Sequence, residues 1–455
     1  MAAPRDILST FASTTPDVEY ITPSSSTFEE TRAIYAHPEI VPSGILRPAN
    51  IPALASTVSF LAANKIEFTV RGGGHDLQGR SMKKDTVAVD LRLINHVRID
   101  ADTATAKVGG GTLAGDLIRT LEKEGFVTPV GSVSPVGYTG WAMYGGYGAY
   151  SSRFGLGVDH IVGARVVNAT GEVVDADAEL LKAIRGAGGA FGVLAEVTIS
   201  IYKLAQILAG VVIFNSQDLD TVIRQYNQGY RVLTAAEGGL PAPLSLQQCT
   251  LNMPTPTFGV LFMWADEDHE AGKQWLERVS GLAPVVANTV KSRTPSAWQA
   301  EQDALVPKTT QGRLWSVNLR QITDEVAGVI AQYAKQLPAD PHVIFDMHEL
   351  RGDSPSAKPN ADSVFVAREG HFAVEIVPLV EDAEKLEGAL AWGQEFSNAL
   401  KRTDPRNIVA ATYVSFLTAD EFDHDKVFGE HLGFLRRVKA RVDPGNVFNN
   451  AISYL

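Results

Sequence analysis

Cysteine is almost missing from this chain: Cys249 is the one instance in 455 residues. That excludes a disulfide framework within the chain and any metal site built from clustered thiolates. No apolar run approaches the roughly 18 residues a membrane helix needs. The opening residues, MAAPRDILSTFASTTPD, lack the apolar stretch of a secretory leader. The expectation is a soluble, intracellular protein with no signal peptide and no membrane partner. Basic charge is also short. The chain has 40 Lys and Arg against 52 Asp and Glu, a formal net charge of −12, with no block of one sign. Nucleic acid and anionic membrane surfaces are poor partners for that balance.

Common catalytic motifs are missing as well. There is no GxxxxGK[ST], no HExxH and no G-x-S-x-G. GAGGAFG, at 186–192, has glycines spaced like a dinucleotide fingerprint, but it leads into the β-rich VLAEVTISIY rather than a helix, which defeats a Rossmann reading. His348 and Glu349 adjoin, yet neighbours in a strand point to opposite faces and do not make a ligand pair. The acidic run at 266–270 reads as a solvated helix start. No metal site is expected.

Glycine, by contrast, is plentiful, with 40 residues in the chain, and in the first 205 positions it forms three glycine-rich loops beside strand candidates. The first is FTVRGGGHDLQGRS, at 68–81. Glycine runs cost conformational entropy, so Gly72, Gly73 and Gly74 imply a tight turn or a close approach of backbone N–H groups to a ligand. Such amides bind a phosphate without basic side chains, and Arg71 is placed to add a charge. His75 follows a run with nothing on its own side to shield it, so its ring is open to a bound planar cofactor. The second tract spans 131–176, ending in a hairpin, and the third 184–202.

Periodicity divides the chain. Up to about 205, short strands alternate with helices. Leu54, Val58 and Leu61 share one helical stripe, Thr112 is placed to cap a helix carrying Leu113, Leu117 and Leu121, and 168–171 is a turn. From 206 to 404, long polar-faced helices separate strand candidates such as LWSVNLR, HVIFDMHEL and HFAVEIVPL. That order suggests a sheet covered by helices on one side. In HFAVEIVPL, His371, Ala373 and Glu375 share one face, and Phe372, Val374 and Ile376 the other. If the apolar face packs on helices, Glu375 can look toward a ligand; the other reading is a glutamate in a surface ion pair.

On these residues the chain resembles the vanillyl-alcohol-oxidase / para-cresol-methylhydroxylase flavoproteins, in their berberine-bridge-type branch. RGGGHDLQGRS is similar to that family's R-x-G-G-H-x-x-x-G-x-S, one residue out of phase at the glycines. VAVDLRLINHVRIDADTATAKVGGGTLAGDL, YGGYGAYSSRFGLGVDHIVGARVVNATGEVV, AIRGAGGAFGVLAEVTISI and the closing GEHLGFLRRVKARVDPGNVFNNAISYL extend the likeness over 40–205 and 408–455. The resemblance implies an α+β fold. A two-part FAD-binding domain of the PCMH type, 1–205 with a C-terminal return at 405–455, would enclose a substrate domain at 206–404 built on an antiparallel sheet covered by helices. It implies FAD held by Arg71, Gly72, Gly73, Gly74, His75, Asp76, Gly79 and Ser81. Gly131, Ser132, Val136, Gly137, Gly140, Trp141, Gly145 and Gly148 would join them from the second tract, with Val193 and Asn446 from later segments. His75 is expected to carry the flavin covalently through its 8α-methyl carbon.

The departures from the family pattern carry information too. Members with a second attachment use the cysteine of G-x-C-P-x-V-G. GSVSPVG has Val133 there, and Cys249 lies far off in the second domain, so a single link is expected. Val136 falls at the family's oxygen gate, where a small residue goes with oxidase activity. The Y-x-N-Y strand reads YVSF: Tyr413 stays, while Ser415 and Phe416 replace the polar pair. Trp141 stands where a histidine is frequent. Glu375, Tyr413 and His348 are the catalytic candidates, with Glu375 as a base whose pKa desolvation must raise. Trp315 and Phe416 are expected to line the substrate pocket. The implied reaction moves hydride from a small, secondary-metabolite-like substrate to FAD and then to O2. Two alternatives stay open: an FAD-retaining non-redox isomerase or cyclase, and a flavin- or ligand-binding protein without catalysis.

Overall fold

The computed structural model describes residues 4–76, 78–304, 306, 310–351, 362–411, 413–418, 421–452 and 455. The N-terminal sheet runs Val18–Ile21, Gly44–Pro48, Val87–Asp90, Phe68–Arg71 across its width. The contacts of Val87–Asp90 with both of its neighbours are parallel, which requires a crossover. The helix Ile51–Ala63 supplies it. Asn50 caps its start by accepting from the N–H of Ala53, Pro52 sits in its first turn, and Leu54, Val58 and Leu61 are buried as the stripe predicts.

A second sheet of five strands runs Val97–Asp100, Thr105–Gly109, Val193–Ser200, Ile161–Val167, Val173–Asp175, antiparallel throughout. The turn at 168–171 forms as expected: Asn168 Oδ1 accepts from the N–H groups of Thr170 and Glu172, and Gly171 has φ of 83°. The third glycine loop enters a strand, again as expected. The expected cap at Thr112 does not form. The helix begins at Ala114 with Leu113 in the N-cap position, and Thr112 is buried.

The third sheet carries the roof of the site. Its strands run Val285–Asn288, Ile207–Phe214, Pro256–Trp264, Leu244–Asn252, Val343–Leu350, His371–Pro378, Trp315–Leu319, with Lys291–Arg293 beside Ile207–Phe214. Every contact in it is antiparallel. Helices Leu219–Ala235, Asp324–Lys335 and Leu386–Lys401 cover one face, where Phe372, Val374 and Ile376 join Phe345, Ile330 and Phe396 in a single core. The period of two sends Ile344, Asp346, His348, Glu375 and Val377 to the other face.

The C-terminal tail returns to the first sheet. After the helix Leu432–Val442, Asp443 accepts from the N–H groups of Val447 at 2.8 Å and Phe448 at 3.0 Å. It also pairs with the Lys439 ammonium at 2.7 Å, which donates to the Ala190 carbonyl of the third loop. Phe448 then meets Phe68 edge-on, and Asn450 donates to the Phe68 carbonyl at 2.8 Å. Among the described residues, no helix is long and apolar enough to cross a membrane.

Candidate active site

Between the glycine loops and the bare face of the third sheet lies a cavity of about 700 Å³. This is within the range of small-molecule and cofactor sites. The loops make its floor by backbone contact. A Cβ on Gly73 would collide with the Gly137 nitrogen and the Pro135 carbonyl, so the first two loops can cross only as glycine. Gly72, Gly73, Gly74, His75, Asp76 and Ser81 line the cavity from the first loop. Gly131, Ser132, Val136, Gly137, Gly140 and Trp141 line it from the second, with Val193 at the strand that follows the third. Three buried hydroxyls on this wall, Thr69, Ser81 and Thr139, have no hydrogen-bond partner among the described residues.

Five expected cofactor contacts lie off the cavity. Arg71 is buried and donates to the carbonyls of Thr31 and Ala33, the latter at 2.6 Å. These carbonyls end the short helix Phe28–Arg32, and a buried guanidinium satisfies them better than water can. Its charge supports the loop from behind. Burial and the neighbouring Arg92 press its pKa down to about 10. Gly79 makes a left-handed turn with φ of 72°. Gly145 and Gly148 pack tightly against Phe365 and the Val130 carbonyl, respectively. Asn446 is exposed in a turn with φ of 51°, a conformation asparagine tolerates. Asn450, four residues on, is the tail residue that reaches the cavity.

The roof concentrates titratable groups. Asp346 and Glu375 are direct partners across adjacent strands, and both face the cavity. His348 Nε2 lies 3.6 Å from Glu375 Oε1 and 3.9 Å from Asp346 Oδ1, with Gln247 Nε2 at 3.2 Å from the same nitrogen. Burial disfavours charge on every member. It pushes Asp346 up to about 7 and, joined by repulsion from Asp346, raises Glu375 well above the usual carboxylate range. The same burial drives His348 down to about 4, leaving it neutral. The result is a proton acceptor poised near neutral pH. The three side chains also bring two oxygens and one nitrogen within 4.8 Å of one another, a donor set that would suit a divalent cation as well as a proton.

Tyr413, Ser415 and Phe416 close one side. The Tyr413 ring meets Phe416 edge-on at 4.7 Å and Tyr147 at 5.2 Å. Burial pushes its phenol up to about 12, so it acts as a hydrogen-bond donor. The first loop latches this segment: Gln78 donates to the Phe416 carbonyl at 3.1 Å and Arg80 to the Val414 carbonyl at 2.9 Å.

Trp315 is not in the pocket. It pairs with Ile376, so the alternation that aims Glu375 at the cavity aims Trp315 at the helices, where it packs beside Gly393. Cys249 corrects the opposite way. Though remote in sequence, it lies on the roof directly across from Asp346. Burial raises its thiol and holds it protonated, which suppresses the thiolate that nucleophilic attachment needs. Asp346, Gln247, Arg80 and Tyr35 were not singled out from sequence. The alternation in HVIFDMHEL pairs Asp346 with His348 and was a usable signal; Tyr35 and Arg80 carried none.

A family profile described as FAD binding domain matches residues 42–177, and one described as berberine and berberine like matches 412–453. FAD-linked oxidoreductase aurO of Gibberella zeae is 30% identical over 439 residues, covering 95% of this chain and 85% of that protein. The chain belongs to the berberine-bridge-like FAD-linked oxidoreductases. (R)-6-hydroxynicotine oxidase of Paenarthrobacter nicotinovorans is 36% identical over 200 residues, 43% of this chain and 44% of that one. The fold is shared with 6-hydroxy-D-nicotine oxidase of Arthrobacter nicotinovorans, at TM-score 0.80 and 23% identity over 95% of this chain and 96% of that one. It is shared also with BBE-like 1 of Physcomitrella patens, at TM-score 0.83 and 18% identity over 98% and 99% of the two chains.

The protein is thus an FAD-dependent oxidoreductase with a PCMH-type FAD-binding domain. The floor of this berberine-bridge-like oxidoreductase fits the cofactor on its own terms. It offers backbone amides of crossing glycines and three unpartnered hydroxyls, with room for a large ligand beside them.

Proposed function

We propose that this oxidoreductase is an oxidase acting on a small organic, secondary-metabolite-like substrate, with FAD attached once, through His75, and O2 as the final acceptor. In this reading 1–205 and 405–455 form the FAD-binding unit and 206–404 the substrate domain. Bound FAD supplies the two-electron acceptor for hydride removal from a substrate C–H bond. The chain's own part is proton handling, orientation and exclusion of water. Glu375, coupled to Asp346, takes the proton of the substrate O–H or N–H. Neutral His348 holds a hydrogen bond to that group, and Tyr413, as a protonated phenol, donates another. Leu251, Ile344, Val377 and Phe416 keep the space between them apolar. Val136 leaves room at the floor for O2. Val133 at the cysteine position and the protonated Cys249 thiol support a single link.

The observation that carries this proposal is the Asp346–Glu375 pair facing the glycine floor across one cavity. The test is a peroxide screen of small phenols, alcohols and amines, followed by anaerobic mixing of each hit with the protein. Flavin bleaching without oxygen, restored by air with release of peroxide, is the expected result. Product formed without bleaching would overturn the oxidase and favour a non-redox isomerase or cyclase.

A further inference from the structure

We infer that Tyr35 is a positioning residue for the attachment of FAD to His75. This rests on the proposed bond at His75. The Tyr35 and His75 rings stack with centroids 4.4 Å apart and planes 11° from parallel. Among the described residues, this stack is the contact that sets the plane of the imidazole; no side chain bonds to its ring nitrogens. In most reactive histidines, a hydrogen bond to the second nitrogen does that work.

Tyr35 is itself held from several sides. Its N–H donates to the Gly74 carbonyl at 2.9 Å. Its carbonyl accepts from both the N–H and the hydroxyl of Thr310, at 2.9 Å and 3.0 Å. Two residues earlier, the Ala33 carbonyl takes the Arg71 guanidinium. Arg71 and Gly74 belong to the first glycine loop, whereas Thr310 belongs to the segment between the two FAD-binding parts. These bonds hold the Tyr35 backbone against both segments, so its ring is presented to His75 from a fixed position.

Orientation matters because the nucleophile's lone pair lies in the ring plane. A stacked partner covers one π-face and leaves the in-plane nitrogen free to meet an atom in the cavity. Burial, reinforced by Arg71, lowers the imidazole to about 4, so the lone pair is available at neutral pH. In the attachment, a C–N bond forms between the His75 ring and the 8α carbon, and one C–H bond of that methyl breaks. The methyl hydrogen, the imidazole N–H hydrogen and the electrons balancing them stay on the flavin as its two-electron reduced form. O2 then takes both hydrogens and both electrons and leaves as hydrogen peroxide. An imidazole free to rotate would meet the 8α carbon misaligned, and loss of alignment slows such a step.

The experiment starts from full-length protein produced under riboflavin starvation, so that it is made without flavin, and then incubated with FAD. Total bound FAD is read from absorbance, and covalent flavin from acid-precipitated pellets over time. Tyr35→Phe keeps the flat ring and is expected to attach at the wild-type rate. Tyr35→Leu, with Tyr35→Met in parallel as a more adaptable filler, is expected to bind FAD to the wild-type level but attach it about tenfold more slowly. Wild-type attachment rates in both would overturn the role of Tyr35, provided His75→Ala attaches none. A wild-type protein that forms no bond would instead remove the reading of His75, and this inference with it.

Discussion

The floor and the roof of the cavity are built in opposite ways. The floor is backbone: glycines from two loops cross where no Cβ fits, and the charged groups nearby, Asp76 and Arg80, pair with each other at 3.2 Å. The roof is side chain: Gln247, Asp346, His348 and Glu375 come from three neighbouring strands of one sheet, none needing an unusual backbone. A backbone-built surface binds by shape and amide dipoles, and tolerates no added atom. A side-chain-built surface tolerates isosteric change in shape but not in proton affinity. Damage to the floor should therefore appear as lost cofactor, and damage to the roof as lost rate.

The largest expected effect is on the roof. Glu375→Gln should slow flavin reduction by substrate about 10²–10⁴-fold, the usual span for removing a general base, while FAD content stays at the wild-type level. Stopped-flow reduction and the visible spectrum of one sample check both halves. Loss of FAD in this variant would break the division of labour. On the floor, Gly73→Ala should do the reverse. Overpacking against two fixed backbone atoms costs about 1–3 kcal/mol, so FAD occupancy should fall by roughly tenfold or more. The roof would keep its fold by circular dichroism.

Acidity sharpens the comparison further. With Asp346 raised to about 7 and Glu375 also raised, the base is protonated in acid. The rate of flavin reduction should therefore climb with pH along a limb that lies above the ordinary carboxylate range, and level off beyond it. Asp346→Asn removes the repulsion that helps raise Glu375, so the limb should move to lower pH. The smallest effect is on stability. A carboxyl whose folded pKa lies above its unfolded value favours folding most at low pH, and that advantage is lost as pH rises toward 7. Asp346→Asn should therefore melt about 2–4 °C higher than wild type at pH 8 and show no gain at pH 4. A floor substitution should show no such dependence.

The same contrast explains what could be read before the structure. The first loop packs its glycines and His75 into a few consecutive residues, so one motif carries it, and the family likeness follows from there. Glu375 was reachable because alternation within a single strand assigns a face. Asp346 needed the same argument on a second strand plus the register that sets it opposite Glu375, and register is a tertiary fact. Trp315 shows the cost of lacking it: an aromatic near a presumed pocket belongs to the core once its partner is known to be Ile376. Arg71 and Asn446 lie off the cavity for a local reason. Each sits inside a motif, but one completes a helix end and the other a left-handed turn.

The measurement that tests the account most directly is the covalent flavin content of the purified wild-type protein. Acid precipitation should leave a yellow, fluorescent pellet with about one flavin per chain, and His75→Ala should release its flavin to the supernatant. A colourless pellet beneath a yellow supernatant from wild type would contradict the attachment at His75.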